Sequence, residues 1–189
     1  MEGWEAKLEF RTVKEEEIEK LIRQLPNKRS HGIDEISPEI LKLGGPSVVV
    51  PLTVLVNKSI LDNKYPTEWK TAIVKPLHKK GDKTLRKNYR PVSLLCTPGM
   101  ILERVIGLQI EEFFEKNSLL GNFQYGFRQG KSTISELINL FDTLLDAKQD
   151  KKEIMLILYD LSAAFDCISH ETLLSKMEIY GFNDHALQW

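Results

Sequence analysis

The spacing of apolar residues near the start of the chain predicts an amphipathic helix. Apolar residues recur at helical intervals up to Leu25, and Pro26 ends the pattern. Thr12 followed by Glu15 is a capping box, which satisfies the free N–H groups of a first turn. We therefore predict a first helix from about Val13 to Leu25.

Two more helices are predicted before residue 61. Ser37 and Pro38 have the pattern of a helix cap and a first-turn proline, and Gly44 is a stop signal. The apolar positions between Leu52 and Ile60 favour a helix, although the valine run Val48–Val50 would also suit a strand.

The middle of the chain changes its pattern to one typical of strands. The segments Thr71–Lys75 and Pro91–Leu95 are rich in residues that favour strands, and they flank a basic loop containing Gly81 and Asp82. This arrangement predicts a β-hairpin with a long basic tip.

Helical periodicity returns after the hairpin. Apolar residues from Ile101 to Phe114 mark one amphipathic helix. Ser132 or Thr133 caps a second helix, whose apolar positions run from Ile134 to Leu145.

A run of six apolar or aromatic residues occupies most of the segment Glu153–Asp160. A short run without polar alternation predicts a central strand covered on both faces. Ser169 then caps a final helix that Gly181 ends. Helices combined with a few strands in irregular order indicate the α+β class.

Composition places the chain in the class of ordinary globular proteins. Of its 189 residues, 42% are hydrophobic and 28% are charged, which excludes collagen-like, disordered and membrane-spanning classes, and we expect no membrane partner. The first ten residues lack the apolar block of a secretory signal, so a cytoplasmic or nuclear location is expected. Two cysteines, Cys96 and Cys167, are too few to indicate a disulfide framework.

Charge is unevenly distributed although the formal net charge is only −1. Between Lys64 and Arg90 there are nine basic and two acidic residues, whereas Asp142–Asp184 contains four basic and nine acidic residues. The two segments suggest a surface that binds polyanions and a site that binds cations, and the alternative is that both are solvated loops and helix faces.

Asp160 ends the predicted buried strand and is the first candidate for a metal-binding residue. A carboxylate in that position loses solvation, and a divalent metal is the strongest compensating charge. A helix N-terminus or a lysine partner is the alternative explanation.

Several blocks of the sequence together resemble one family. The segment LYDLSAAFDCISHETLL is similar to the first acidic motif of reverse transcriptases from non-long-terminal-repeat (LINE-like) retrotransposons. NKRSHGIDEISPEILK resembles that family's segment upstream of the fingers, PTEWKTAIVKPLHKKGDKTLRKNYRPVSLL its fingers hairpin, and LLGNFQYGFRQGKSTISEL its Gln-x-Gly-Phe-Arg segment. The blocks follow the family's order and extend from about Leu25 to Trp189.

The resemblance implies a partial right-hand polymerase fold with helical fingers, a basic β-hairpin and the first palm strand. Residues 1–26 would form an N-terminal helix segment, residues 27–150 a fingers-like region, and residues 151–189 the start of the palm.

The implied activity is RNA-directed DNA synthesis by two-metal nucleotidyl transfer, with an RNA template, a DNA primer, deoxynucleotides and Mg²⁺. By position, Asp160 would be the catalytic metal ligand, and the carbonyl of Leu161 would be a second metal contact. Phe165 would lie under the sugar and disfavour a 2′-hydroxyl group.

The resemblance also assigns binding roles in the basic hairpin and the loop that follows. Arg90 would contact the incoming triphosphate, because a guanidinium bonds phosphate oxygens bidentately, with Lys79 and then Lys75 as further candidates. Template-binding roles would belong to Gln124, Gly126, Phe127 and Arg128.

One part of the family pattern does not occur. The second acidic motif is an aromatic-x-Asp-Asp turn, and the 189 residues contain no Asp-Asp pair. We therefore expect an inactive fragment of a polymerase fold, in which the unpaired edge of the palm strand leads to partial disorder, to self-association or to cover by a partner. The alternative is a non-catalytic nucleic-acid-binding remnant of the same fold.

Two other motifs are too incomplete to predict a function. GFRQGKST is not a P-loop, since Gly126 and Gly130 enclose three residues rather than four. Cys167 and His170 form a lone Cys-x-x-His pair without a second ligand pair, which argues against structural zinc.

Overall fold

A computed structural model describes residues 6–161 and 164–189 of the chain. Its α-helices are α1 (Glu15–Gln24), α2 (Pro38–Leu43), α3 (Pro46–Leu61), α4 (Thr97–Lys116), α5 (Thr133–Gln149), α6 (His170–Ile179) and α7 (Asp184–Gln188), and its strands are β1 (Ile73–His78) and β2 (Tyr89–Leu94). The predicted mixture of helices with a small sheet is confirmed. None of the helices in these two ranges has the length and apolar character that a membrane span requires.

The chain divides into two compact units. The first extends from the N-terminus to Phe113 and includes Met177–Trp189, and the second is Phe114–Lys176. The boundaries predicted after residues 26 and 150 separate functional regions rather than compact units, and they stay predictions.

The core of the first unit is formed by α1, α3 and α4. Ile18, Val56 and Leu102, one from each helix, have no solvent-exposed surface. Burial of these side chains is the main favourable free energy for packing the three helices together. The helix predicted between Leu52 and Ile60 is thus confirmed, and the strand alternative for the valines is wrong.

The first helix begins two residues later than predicted, and the capping box predicted at Thr12 and Glu15 is wrong. The N–H of Val13 donates to Asn57 Oδ1 at 2.8 Å, and Asn57 Nδ2 donates to the Val13 carbonyl at 2.9 Å. Because both backbone groups of Val13 are bonded outside the helix, the chain stays extended there. A Glu17 carboxylate oxygen instead accepts the N–H of Lys14 at 2.9 Å.

The two ends of the described chain meet in a parallel β-bridge within the first unit. Leu8 donates its N–H to the Gly181 carbonyl at 2.8 Å and accepts the N–H of Asn183 at 3.0 Å. Gly181 has a φ of +97°, and a Cβ added to it would lie 2.4 Å from the Ala6 carbonyl oxygen. Only glycine fits this position without displacing the backbone.

The predicted hairpin is confirmed. β1 and β2 pair antiparallel, with Ile73 opposite Leu94 at one end and His78 opposite Tyr89 at the other.

The second unit contains α5, whose cap is confirmed: Ser132 accepts the N–H of Ser135 at 3.2 Å. None of the α5 side chains is buried. Five of its large apolar side chains are between 51% and 68% exposed, and they are Ile134, Leu137, Ile138, Phe141 and Leu145.

The strand predicted at Glu153–Asp160 does not form, and the prediction of a first palm strand in this chain is wrong. The structure gives residues 152–161 no regular secondary structure, and the apolar side chains from Ile154 to Tyr159 are 46% to 86% exposed. A strand is stable only when a neighbour satisfies its N–H and C=O groups. In the part of the chain that the structure describes, the sheet contains β1 and β2 alone.

Candidate functional site

The register of the hairpin brings two of the predicted nucleotide-binding residues together. Lys75 lies opposite Val92, and Leu77 lies opposite Arg90. Residues directly opposite in an antiparallel pair share a face, as do residues two apart on one strand, so Lys75 and Arg90 are diagonal neighbours on one face. Both side chains are exposed.

Lys79, the other basic residue predicted to contact the triphosphate, lies just beyond β1. Its backbone N–H donates to the Asn88 carbonyl at 2.7 Å, which extends the pairing of the hairpin by one hydrogen bond. The exposed ammonium group therefore lies at the base of the basic tip.

The tip itself is held by polar contacts that use no basic side chain. Asp82 Oδ1 accepts from the N–H and the hydroxyl of Thr84, each at 2.8 Å, and these bonds hold the pKa of Asp82 below its ordinary value. Asn88 Nδ2 donates to the Asp82 carbonyl at 2.7 Å, and the Tyr89 hydroxyl donates to the Lys83 carbonyl at 2.9 Å. The loop is thus shaped while its cationic groups stay available.

The positive charge of the hairpin is not neutralised by ion pairs. Among residues 6–161 and 164–189, every ion pair within 4.0 Å involves basic residues outside the hairpin. The hairpin's own basic residues are Lys75, Lys79, Lys80, Lys83, Arg86, Lys87 and Arg90, against the single acid Asp82. Such a segment attracts polyanions through its summed field.

The side chain of Arg128, one of the predicted template-binding residues, is bonded to protein groups. Its Nε and one terminal nitrogen donate to the two carboxylate oxygens of Glu115 at 2.9 and 2.8 Å. The other terminal nitrogen donates to the Gly121 carbonyl at 3.0 Å. The ion pair lowers the pKa of Glu115 and raises that of Arg128. Only 14% of the Arg128 side chain is exposed.

The remaining predicted template residues lie at the surface of the second unit. Gln124, Gly126 and Phe127 are exposed, and a Cβ added at Gly126 would meet no atom within 4 Å. The Phe127 ring contacts Phe165 edge to face, with ring centroids 6.0 Å apart and planes at 88°. The structure thus joins a predicted template residue to the residue predicted to lie under the sugar.

Asp160 and Leu161 are both exposed, contrary to the expectation of a desolvated carboxylate. Mg²⁺ in proteins is held by several oxygen ligands in near-octahedral geometry. Within the described ranges no group of three or more His, Cys, Asp or Glu side chains could hold a metal ion. The described residues therefore do not by themselves fit a metal centre.

Comparison with known sequences identifies the family. The sequence model described as "Reverse transcriptase (RNA-dependent DNA polymerase)" matches residues 77–189, which is more than half of the chain. The chain belongs to the reverse transcriptase family.

Similar reverse transcriptase sequences come from mobile elements. The chain is 31% identical over 172 residues to the "Probable RNA-directed DNA polymerase from transposon BS" of Drosophila melanogaster, covering 90% of this chain and 19% of that relative. It is 32% identical over 163 residues to the "RNA-directed DNA polymerase from mobile element jockey" of the same species, covering 85% and 18%. Both relatives are named as RNA-directed DNA polymerases of mobile elements, and the resemblance found in the sequence is confirmed.

A more distant similarity is to the "Transposon TX1 uncharacterized 149 kDa protein" of Xenopus laevis, at 24% identity over 167 residues, covering 88% of this chain and 13% of that relative. The chain thus spans less than a fifth of the length of each of these three relatives.

The reverse transcriptase match includes most of the predicted site residues. Residues 77–189 contain Lys79, Arg90 and the segment from Gln124 to Arg128, as well as Asp160 and its neighbours, while Lys75 lies just before the match. The roles of these residues in binding stay predictions.

Sequence reasoning missed the residues that hold the Gln-x-Gly-Phe-Arg loop. Glu115 pairs with Arg128 across 13 positions, and Asn139 Nδ2 donates to the Tyr125 hydroxyl across 14 positions. Each pair joins the loop to a different helix. Helical or strand periodicity gives no signal for such pairs, because they depend on how a loop folds between helices.

Proposed function

We propose that this chain supplies the nucleotide-holding and template-holding part of an RNA-directed DNA polymerase of the retrotransposon type, arranged as part of a right-hand polymerase fold. The observation that carries the proposal is the hairpin face on which Lys75 and Arg90 are diagonal neighbours, with the basic tip beside them free of ion pairs. Family membership supports the class of reaction.

The chemistry of the hairpin suits a polyphosphate or a nucleic-acid backbone. The always-charged Arg90 guanidinium can bond two phosphate oxygens at once, and Lys75 and Lys79 add mobile point charges within reach of the same ligand. Because the tip is ordered by Asp82, Asn88 and Tyr89, binding does not have to order the loop first.

The aromatic pair in the second unit, Phe127 and Phe165, suits contact with the bases or sugars of the same class of ligand. Phe127 is 90% exposed and Phe165 is 76% exposed, and two adjoining aromatic rings that face solvent can contact bases or sugars. In the proposed function Phe165 lies under the sugar of a deoxynucleotide, and Gln124, Gly126 and Phe127 border the template. The open space above Gly126 leaves room for a backbone to approach closely.

Catalysis needs metal ligands beyond those described. In the proposed function Asp160, with the Leu161 carbonyl, would contribute one part of a Mg²⁺ site, and two-metal chemistry would require further carboxylates that an Asp-Asp turn supplies. The 189 residues contain no such turn. We therefore propose that the chain alone does not extend a primer.

Primer extension on an RNA template with deoxynucleotides and Mg²⁺ tests this step. The expected result is no incorporation by the isolated chain. Incorporation that survives Asp160→Asn would show that the activity does not depend on this carboxylate. Incorporation that Asp160→Asn abolishes would show that the chain completes its own metal site, and would overturn the proposed inactivity.

A second candidate function is a nucleic-acid-binding module without catalysis. It is favoured by the contrast between the fully formed basic hairpin and the lack of a metal-ligand group in the described ranges. Adding a separately expressed downstream palm segment of a relative distinguishes the two functions. Restored primer extension supports the polymerase role, whereas RNA binding without any restored extension supports the module.

The exposed apolar segment from Ile154 to Leu161 favours association with a covering protein partner or a second copy of the chain. Size-exclusion chromatography over a range of protein concentrations tests this part of the proposal. We expect elution to shift to larger species as concentration rises, and expect Leu158→Lys to reduce the shift. A monomer at every concentration would contradict self-association.

A further inference from the structure

The loop between α4 and α5 is organised around one guanidinium. Arg128 has five N–H donors, of which two are used by the Glu115 carboxylate and another by the Gly121 carbonyl. The Gln124 carbonyl lies at 3.5 Å from the same terminal nitrogen that bonds Gly121. Few donors remain for a phosphate, and the side chain is mostly covered.

Glu115 is the residue that makes this arrangement possible. It lies in the last turn of α4 and accepts both arms of the guanidinium fork, the geometry in which an arginine–carboxylate pair is strongest. A bidentate pair fixes the orientation of the guanidinium plane, and that plane in turn aims the remaining donors at the carbonyls of Gly121 and Gln124.

A second set of contacts holds the loop from α5. The Tyr125 hydroxyl accepts a hydrogen bond from Asn139, and the Lys131 ammonium lies 4.9 Å from the centre of the Tyr125 ring. Tyr125 and Arg128 are therefore the inward-facing residues of the loop. Gln124 and Phe127, which alternate with them, are exposed.

Phe127 is presented in an unusual backbone conformation. Its φ is +60°, a region that aromatic residues rarely adopt, and its ring is 90% exposed. The surrounding structure must maintain such a conformation. The neighbouring Arg128 is the anchor closest to it in sequence.

We propose that Glu115 is a positioning residue for template binding: by holding Arg128 in the bidentate pair, it fixes the loop that presents Gln124 and Phe127 to a single-stranded RNA template. This role rests on the proposed function. It also assigns Arg128 to loop geometry rather than to direct phosphate contact.

Amide hydrogen exchange of the full 189-residue chain tests the first half of the proposal without RNA. The N–H groups of Gln124 and Lys131 are bonded within the loop, to the carbonyls of Gly121 and Arg128. Glu115→Gln should accelerate exchange at both amides by about threefold or more, the effect of losing a good surface pair. The control is Glu112→Gln, which removes the same charge from the same helix and should leave both amides unchanged. Unchanged exchange in Glu115→Gln would overturn the proposal.

Binding of labelled single-stranded RNA tests the second half. The two possible roles of Arg128, holding the loop or contacting phosphate, predict opposite changes in RNA affinity when Glu115 is replaced. If Glu115 positions the loop, Glu115→Gln weakens binding by about threefold or more, although the variant carries one negative charge fewer. If Arg128 instead contacts phosphate, removing the competing carboxylate strengthens binding. Glu112→Gln shows the effect of the charge alone, and an unchanged urea midpoint shows that the fold is intact.

Arg128→Lys completes the test. Lysine keeps the charge but lacks the fork, so it should weaken RNA binding as Glu115→Gln does and leave the salt dependence of binding unchanged. Wild-type affinity in Arg128→Lys would overturn the positioning role. If the wild type binds RNA and Glu115→Gln binds it equally well, the positioning role is overturned and the proposed function is not. An absence of RNA binding by the wild type would overturn the proposed function, and the positioning role with it.

Discussion

The Gln109 side chain brackets the backbone of Arg11, a residue 98 positions earlier in the sequence. Its Oε1 accepts the Arg11 N–H at 2.8 Å, and its Nε2 donates to the Arg11 carbonyl at 3.0 Å. A side-chain amide thus provides both hydrogen bonds that a neighbouring strand would provide. This bracket and the similar one made by Asn57 explain how the extended N-terminal segment is held without a sheet.

Replacing Gln109 should release that segment. Gln109→Leu keeps the bulk of the buried side chain but leaves the Arg11 N–H and carbonyl without partners, and we expect the free energy of unfolding to fall by about 1–3 kcal/mol. Urea unfolding followed by circular dichroism measures the change. Gln24→Leu, at an exposed position of α1, is the control and should change stability little. Equal stability of the two variants would contradict a structural role for the bracket.

Gly181 should be intolerant of a side chain. Gly181→Ala forces alanine into a positive φ and places Cβ against the Ala6 carbonyl oxygen, so we expect a loss of at least about 1–2 kcal/mol. Gly107→Ala is the matched control, because Gly107 lies inside α4 with no atom near an added Cβ. That control should gain about 0.5–1 kcal/mol. Thermal unfolding of both variants measures these changes in stability. A Gly181→Ala variant as stable as the wild type would mean that the terminal bridge does not form in solution.

Acid should weaken the start of α1 through Glu17. The hydrogen bond from Arg11 lowers the pKa of Glu17, and the Lys14 N–H adds to the effect. Because the folded pKa lies below the unfolded one, the carboxylate contributes stability above its ordinary pKa and loses it as the pH falls through the lowered value.

Urea midpoints at neutral and acidic pH test this dependence. The difference in stability between the wild type and Glu17→Gln should shrink as the solution becomes acidic. The control is Glu16→Gln, at an exposed position of the same first turn, and its difference from the wild type should change less with pH. A difference between Glu17→Gln and the wild type that stays constant with pH would contradict the lowered pKa.

Local sequence patterns correctly predicted the structural elements that depend only on residues close together in the sequence. The cap at Ser132, the stop at Gly181 and the hairpin strands depend on residues a few positions apart, and the structure contains all three. Segments of strand-favouring residues on both sides of a basic loop were also sufficient to predict the two strands of the hairpin.

Features that depend on distant partners were not predictable. The start of α1 was misplaced because Asn57, 44 positions away, bonds both backbone groups of Val13. The segment before Asp160 has the composition of a buried strand, but a strand also needs a paired neighbour, which composition cannot supply. Among the candidate site residues, Arg128 lies in a loop, as its motif predicts. Its side chain bonds Glu115, however, and no motif indicates that partner.

The binding of single-stranded RNA by the hairpin tests the central proposal most directly. The affinity of the full chain should fall as salt rises, and Arg90→Ala combined with Lys79→Ala should lower both the affinity and the steepness of that dependence. Removing one phosphate-binding side chain reduces the slope of log K against log salt by about 0.7 for single strands. Lys20→Ala with Lys148→Ala removes the same charge from exposed positions outside the hairpin and serves as the control.

The decisive result is the difference in slope between these two double variants. We expect a shallower slope and weaker binding for the hairpin variant, with the control close to the wild type. Equal affinities at low salt and equal slopes across the salt range for the hairpin variant and the wild type would remove the basic hairpin from the binding site and contradict the proposed function.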